Sequence, residues 1–225
     1  MKPDEFYEDF IQILYDEKLD PHDMEGYLWS DFTGEYNYEN FADMIGVEWV
    51  RSGATKLVIK LWECDEYVIK IPLHGDAAWD VSVGDFTEKN RYCHALGEQD
   101  DYCLAEQTVY DRVCQLVPES ASILTKTVYV GSYGIVPIYV SEYADDIEDS
   151  NIDSSDAAQY EARSINPCIS KSLLGKFIDE YGLEPVKNLI CLLKDMGVCD
   201  DINQRNCGMG RDGRIKMIDY SDFNY

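Results

Sequence analysis

Residues 49 to 71 constrain the fold more than any other stretch. Trp49-Val50-Arg51-Ser52 and Lys56-Leu57-Val58-Ile59-Lys60-Leu61-Trp62 are rich in β-branched and aromatic side chains, and Gly53-Ala54-Thr55 separates them. Glu63-Cys64-Asp65-Glu66 then leads into Tyr67-Val68-Ile69-Lys70-Ile71. Short apolar runs bounded by turn residues read as strands, so the stretch predicts three consecutive antiparallel strands. Lys70 lies inside the third, on the same face as Val68, because side chains alternate along a strand. A lysine there either lays its stem on apolar surface with its head in solvent, or reaches into a cleft to hold phosphate.

Around this stretch the periodicity changes. Residues 1 to 45 read as an appendage: Pro3 and Asp4 open an amphipathic helix with Phe6, Phe10, Ile13 and Leu14 on one stripe, and an acid-interleaved aromatic segment follows. Residues 73 to 99 hold no sustained period and read as an insertion. A helix begins near Asp100-Asp101, with Tyr102, Cys103, Glu106, Tyr110, Val113 and Val117 as its inward stripe. Glu106 thus falls on a buried face, where a carboxylate needs a cationic partner. Two strands, 125 to 130 and 135 to 140, lead through Ser141-Glu142-Tyr143-Ala144 into an acidic stretch, 145 to 162, whose composition reads as a linker. Helices over about 170 to 181 and 184 to 196 follow, the second stopped by Gly197. The last segment, from Val198, carries Asp201, Asn206 and, after the apolar run Ile215-Lys216-Met217-Ile218, Asp219.

Charge narrows the function classes. With 19 Lys and Arg against 44 Asp and Glu, the formal net charge is −25. Direct binding of nucleic acid or an anionic membrane needs clustered cations and is not expected. The acidic surface instead favours solubility and cationic partners, including a basic or nucleic-acid-binding protein, for which the acids would act as a decoy. The eight cysteines form no CxxC pair, no apolar leader precedes them, and no run approaches the ~20 apolar residues of a membrane span. The expectation is a reduced, cytoplasmic protein. His74, Cys93, His94 and Cys103 are the one zinc grouping that can be drawn, and their spacing fits no finger pattern.

The order strand, glycine turn, strand, strand with Lys, helix with buried Glu, two strands, connector, helices, Asp-x4-Asn and a later Asp resembles the protein kinase-like superfamily. The matched points are Gly53, Lys70, Glu106, Ser141 to Ala144, Asp201, Asn206 and Asp219, over about residues 46 to 223. The resemblance implies an α+β, two-lobed fold. Its parts are an antiparallel five-stranded N-lobe over 46 to 144 and a reduced helical C-lobe over 145 to 225 ending just after the metal-binding Asp. It implies ATP and Mg²⁺ as cofactors. Gly53 and Lys70 would approach the phosphates, Glu106 would hold Lys70, and Glu142 and Ala144 would supply the adenine-binding hinge. Asn206 and Asp219 would ligate Mg²⁺, and Asp201 would accept the proton of an attacking hydroxyl.

The departures shape the expectation further. The loop Arg51-Ser52-Gly53-Ala54-Thr55-Lys56 keeps only the middle glycine, Cys199-Asp200 stands where protein kinases carry His-Arg, and Asn203 stands where they often carry Lys. Asp219-Tyr220-Ser221 replaces Asp-Phe-Gly, with Asp222-Phe223-Asn224 as a competing alignment. The sequence ends six residues after Asp219, without a peptide-docking platform. The chain is therefore similar to the minimal kinase-like proteins of bacteria and phages. Two functions fit: a phosphotransferase with Asp201 as base, acting on an unspecified acceptor, or a pseudokinase serving as an acidic interaction module.

Overall fold

The structure is a computed structural model and describes residues 1–19, 29–30, 35–36, 38–52, 56–72, 101–134, 136–147, 152–198 and 202–220. The fold is α+β. The chain divides into two compact units: the first comprises Met1–Ala105 and Thr127–Glu142, the second Glu106–Lys126 and Tyr143–Tyr225. Among the described residues, no helix is long and apolar enough to cross a membrane.

The first unit holds helices α1 (Pro3–Asp16) and α2 (Tyr38–Ile45), with a short strand pair, β1 (Trp29–Ser30) and β2 (Glu35–Tyr36), between them. An antiparallel five-stranded sheet follows, built from β3 (Trp49–Ser52), β4 (Lys56–Lys60), β5 (Tyr67–Pro72), β6 (Thr127–Tyr133) and β7 (Val136–Glu142) in the order β3-β4-β5-β7-β6. The three strands predicted from residues 49 to 71 form as a meander: Val50 faces Ile59, and Ile59 in turn faces Ile69. The later pair is shifted along the chain, its strands ending three and two residues beyond the expected 130 and 140. Gly131 lies inside β6 at a bulge, and the turn is made at Gly134, whose φ of +60° favours glycine.

Alternation divides the sheet into two unlike faces. Val50, Leu57, Ile59, Ile69, Ile71, Ile138 and Val140 share one core cluster with Phe6, Phe10 and Leu14 of α1 and Phe41, Ala42 and Ile45 of α2. Residues 3 to 16 recur at helical spacing, which is why α1 can lay one continuous stripe on the sheet. Tyr133 anchors the end of α1 by donating its hydroxyl to the Leu19 carbonyl at 2.6 Å. The appendage is thus part of the same hydrophobic core as the sheet.

Helix α3 (Tyr102–Leu116) carries the chain from the first unit into the second. Its buried residues are Tyr102, Cys103, Ala105, Glu106, Val109 and Val113, so Ala105 and Val109 join the expected stripe while Tyr110 and, past the helix end, Val117 are only half-buried. Pro118 does close α3, but it also opens a 3-10 helix, Pro118–Ile123. The second unit continues with β8 (Ala144–Asp146), α4 (Asp156–Ile165), α5 (Lys171–Tyr181), α6 (Leu183–Asp195), β9 (Cys207–Gly210) and β10 (Ile215–Met217). The linker expected over 145 to 162 is therefore largely structured. Ser155 caps α4 by accepting the Ala158 N–H at 3.2 Å and binds Asp179 of α5 through its backbone N–H and its hydroxyl, while Ala158 and Ala162 bury a small-residue stripe. At their contact, a Cβ on Gly175 of α5 would lie 2.7 Å from the Ser154 hydroxyl.

Candidate functional site

Within the second unit, β9 and β10 form a hairpin in which Cys207 faces Met217 and Met209 faces Ile215, with Gly213 at φ +73° in the turn. A single 3-10 turn, Gln204–Asn206, leads into it, capped by Asn203, whose Oδ1 accepts the Arg205 N–H at 2.9 Å. Past the hairpin's open end the backbone N–H groups of Ile218 and Asp219 both point to the Asn206 carbonyl, at 2.8 and 3.5 Å. Asn206 and Asp219, thirteen residues apart in sequence, are thus held side by side. Asp219 is further fixed by its flanks. Met217 and Tyr220 are buried; Met217 receives the Thr125 N–H at 2.9 Å and its hydroxyl at 3.2 Å, and Tyr220 donates to the Thr125 carbonyl.

A carboxamide and a carboxylate, both half-buried, are hard oxygen donors of the kind Mg²⁺ takes. Asp201 lies outside the described residues. Among the described residues no group of three or more His, Cys, Asp and Glu gathers. Of the zinc grouping, His74, Cys93 and His94 lie outside the described residues and Cys103 is buried in α3.

Beside the hairpin a cavity of about 730 Å³ is lined by Asp146, Ile147, Asn203, Gln204, Arg205 and Cys207. Gln204 shapes it by donating its amide to the Ile147 carbonyl at 3.1 Å. Burial pushes the Cys207 thiol up to about 12, which leaves it a neutral wall residue and no nucleophile. Asp146 and Arg205 escape sequence reasoning because neither is a matched point; their nearness to Ala144 and Asn206 is the only signal. Ala144 opens β8 opposite Gly210, and the strand lies so close to β9 that a Cβ on Gly208 would meet the Ala144 Cβ at 2.8 Å and the Asp145 carbonyl at 2.9 Å. Glu142 ends β7 opposite Tyr67, and the chain passes from the first unit to the second immediately after it.

Within the first unit, Lys70 sits on β5, the central strand of the sheet, between Val58 on one side and Tyr139 on the other. It is 5% exposed, so it does not extend to solvent. Its sheet face is polar. Thr127 donates to Ser141 at 3.0 Å, and Tyr139 donates to Asp101, which also caps α3 by accepting the Cys103 and Leu104 N–H groups. Burial, then the hydrogen bond to the Asp101 carboxylate, raises the Tyr139 phenol far above its usual range and keeps it a donor. Lys60 is held on the same face by Glu48 at 2.5 Å and Asp65 at 3.3 Å. Lys70 is not without a partner, as buried charge requires; Glu106, which belongs to the second unit, is fully buried and likewise has an interaction of its own. Gly53 lies outside the described residues.

Compared with known proteins, the sequence matches no family model, and no curated protein aligns with it significantly.

Proposed function

We propose that this protein is an ATP- and Mg²⁺-dependent phosphotransferase of minimal kinase-like fold, with Asp201 as general base. The observation that carries the reading is the pairing of Asn206 with Asp219: two oxygen-donor residues, far apart in sequence, share one backbone carbonyl as their anchor. Asp201, five positions before Asn206, belongs to the same segment. The antiparallel five-stranded sheet with a buried lysine on its central strand supports the phosphate-binding half.

In this reading Lys70 binds the phosphates, with Glu106 as its positioning residue, and the loop at Gly53 approaches them with backbone N–H groups. Glu142 and Ala144 offer backbone groups to the adenine. Asn206 and Asp219 hold Mg²⁺, which when bound neutralises charge developing on the transferred phosphoryl group. Asp201 accepts the proton of the attacking hydroxyl, a role typically worth ~10²- to 10⁴-fold in rate. The cavity of Asp146 and Arg205 gives a small-molecule acceptor a polar place to sit. The reduced glycine loop and net charge of −25 favour a second reading, a pseudokinase whose acidic surface engages a basic protein.

The test is nucleotide-induced thermal stabilisation. MgATP at 100 times its Kd adds ~2.7 kcal/mol to a protein that binds it, and no shift at any concentration would overturn the proposal. Asp201→Asn separates the two readings, because turnover is lost in an enzyme and the biological effect survives in an interaction module.

A further inference from the structure

The cavity beside the β9–β10 hairpin is lined by an arginine without an acid. In a chain of 44 acids and 19 cations, Arg51 rests on the Trp49 ring at 4.5 Å and Arg214 on the Tyr181 ring at 5.1 Å. Arg205 is exposed, and among the described residues its guanidinium has no ring, hydrogen bond or ion pair. Its backbone, by contrast, is fixed. Asn203 Oδ1 accepts the Arg205 N–H at 2.9 Å, the Asn203 carbonyl accepts the Asn206 N–H at 3.1 Å, and the Asn206 carbonyl accepts the Ile218 N–H at 2.8 Å. A cation carried on a pinned turn has less freedom to lose when a ligand binds.

The rest of the lining sets the ligand's other features. Ile147 and Cys207 are buried and form an apolar wall. Gln204 donates its amide to the Ile147 carbonyl, and its own side-chain oxygen has no donor among the described residues. Asp146 has an interaction of its own and adds a negative charge to the lining. A guanidinium recognises a carboxylate or a phosphate through paired N–H donors. One guanidinium balances the single charge of a carboxylate. A phosphate monoester carries roughly two charges at neutral pH, and the excess would face Asp146 in a chain of net charge −25. A volume of about 730 Å³ is in the range of small-molecule sites.

We infer that the phosphate acceptor is a small hydroxycarboxylate, its carboxylate held by Arg205 and one of its hydroxyls donating to the Gln204 side-chain oxygen. The inference rests on the phosphotransferase reading for the reacting hydroxyl and deepens it by naming the acceptor's class. In the transfer, an acceptor hydroxyl oxygen bonds to the γ-phosphorus of MgATP as the bond from that phosphorus to its bridging oxygen breaks. The electrons of the broken bond leave with ADP, and the hydroxyl proton passes to Asp201.

The experiment measures binding of gluconate, sorbitol and sorbitol 6-phosphate to the full chain by calorimetry in the presence of MgADP, for wild type, Arg205→Gln and Arg205→Lys, with the MgATP-induced melting shift recorded for each. The three probes share one polyol skeleton and differ in carrying a carboxylate, no charge or a phosphate. Gluconate is expected to bind wild type at least about tenfold more tightly than the other two. Arg205→Gln removes that preference and keeps the wild-type MgATP shift, and Arg205→Lys restores part of the preference. Gluconate bound no better than sorbitol, or bound as well by Arg205→Gln as by wild type, overturns the inference, and a persisting MgATP shift then leaves the nucleotide reading standing. Sorbitol 6-phosphate bound more tightly than gluconate overturns the carboxylate assignment. Gluconate bound through Arg205 with no MgATP shift overturns the phosphotransferase reading and leaves a carboxylate site. Should Arg205→Gln fail to fold, phenylglyoxal labelling of wild type decides: gluconate is expected to slow modification of Arg205 and sorbitol to leave it unchanged, and equal rates with the two overturn the inference.

Discussion

The two faces of the five-stranded sheet are made by the same strands, residue by alternate residue, and they are built for different work. One face carries Leu57, Ile59, Ile69, Ile138 and Val140 against the phenylalanines of α1 and α2. The other carries Lys56, Lys60, Lys70, Thr127, Tyr139 and Ser141, and these are buried as well. Antiparallel sheets commonly turn one face to the core and one to water, and polar residues then need no explanation. Here they do, because burying polar groups costs free energy unless each is satisfied. The apolar face therefore stabilises the unit by burial alone, whereas the polar face depends on partners such as Asp101 for Tyr139 and Glu48 for Lys60.

Substitutions on the two faces should separate along that line. Phe10→Ala on the apolar side removes a fully buried ring, so a loss of about 3–5 kcal/mol in chemical denaturation is expected, with MgATP affinity kept in the fraction that folds. A loss below 1 kcal/mol would break the comparison. Lys70→Met should abolish most of the ~2.7 kcal/mol that saturating MgATP adds to wild type, read as the ligand-induced shift from the variant's own ligand-free midpoint, because taking a buried charge from its partner itself costs stability. Thr127→Val leaves the buried Ser141 hydroxyl without its donor and should cost about 1–2 kcal/mol, read by the denaturation midpoint, without altering nucleotide binding.

Lys60→Met is expected to have the smallest effect, about 1 kcal/mol or less, because Asp65 is largely exposed and Glu48 partly so. It is the polar-face residue with a structural task, and pH exposes that task. Burial pulls the Lys60 ammonium down, but the hydrogen bonds it donates to Glu48 and Asp65 outweigh it and leave the group above its ordinary 10.5. A raised lysine contributes stability that is complete below the unfolded value and disappears as pH climbs through the folded one. The wild-type advantage over Lys60→Met should therefore hold through neutral pH and vanish only above about pH 10.5. An advantage already lost at neutral pH would contradict the pairing.

The strands of residues 49 to 71 were legible because they are short apolar runs rich in β-branched and aromatic residues, bounded by Gly53 and the acid-rich 63 to 66. Helix α6 was legible from Val186, Leu189, Ile190 and Leu193 and from Gly197, which takes φ +79° just past its end. Residues 145 to 162 were not, since acid content hides what organises them. The order there comes from β8 pairing with β9 more than sixty residues away, and from Ser155 tying α4 to Asp179. No local pattern announces either contact. Asp146 and Arg205 stayed hidden for the same reason, because the wall they share exists only once β8 lies against β9.

Sequence alone determined where the polar residues stand along each strand and helix, because alternation and helical periodicity are local properties of the backbone. It marked Lys70, Asn206 and Asp219 by type and spacing. Tertiary structure decided what those positions mean. Long-range pairing put Lys56 and Lys60 on either diagonal of Lys70, buried the face they share, and closed the Asn206 carbonyl onto Ile218 and Asp219. Burial and neighbourhood depend on which distant strands pair, and that choice belongs to the whole core and to no single segment of it.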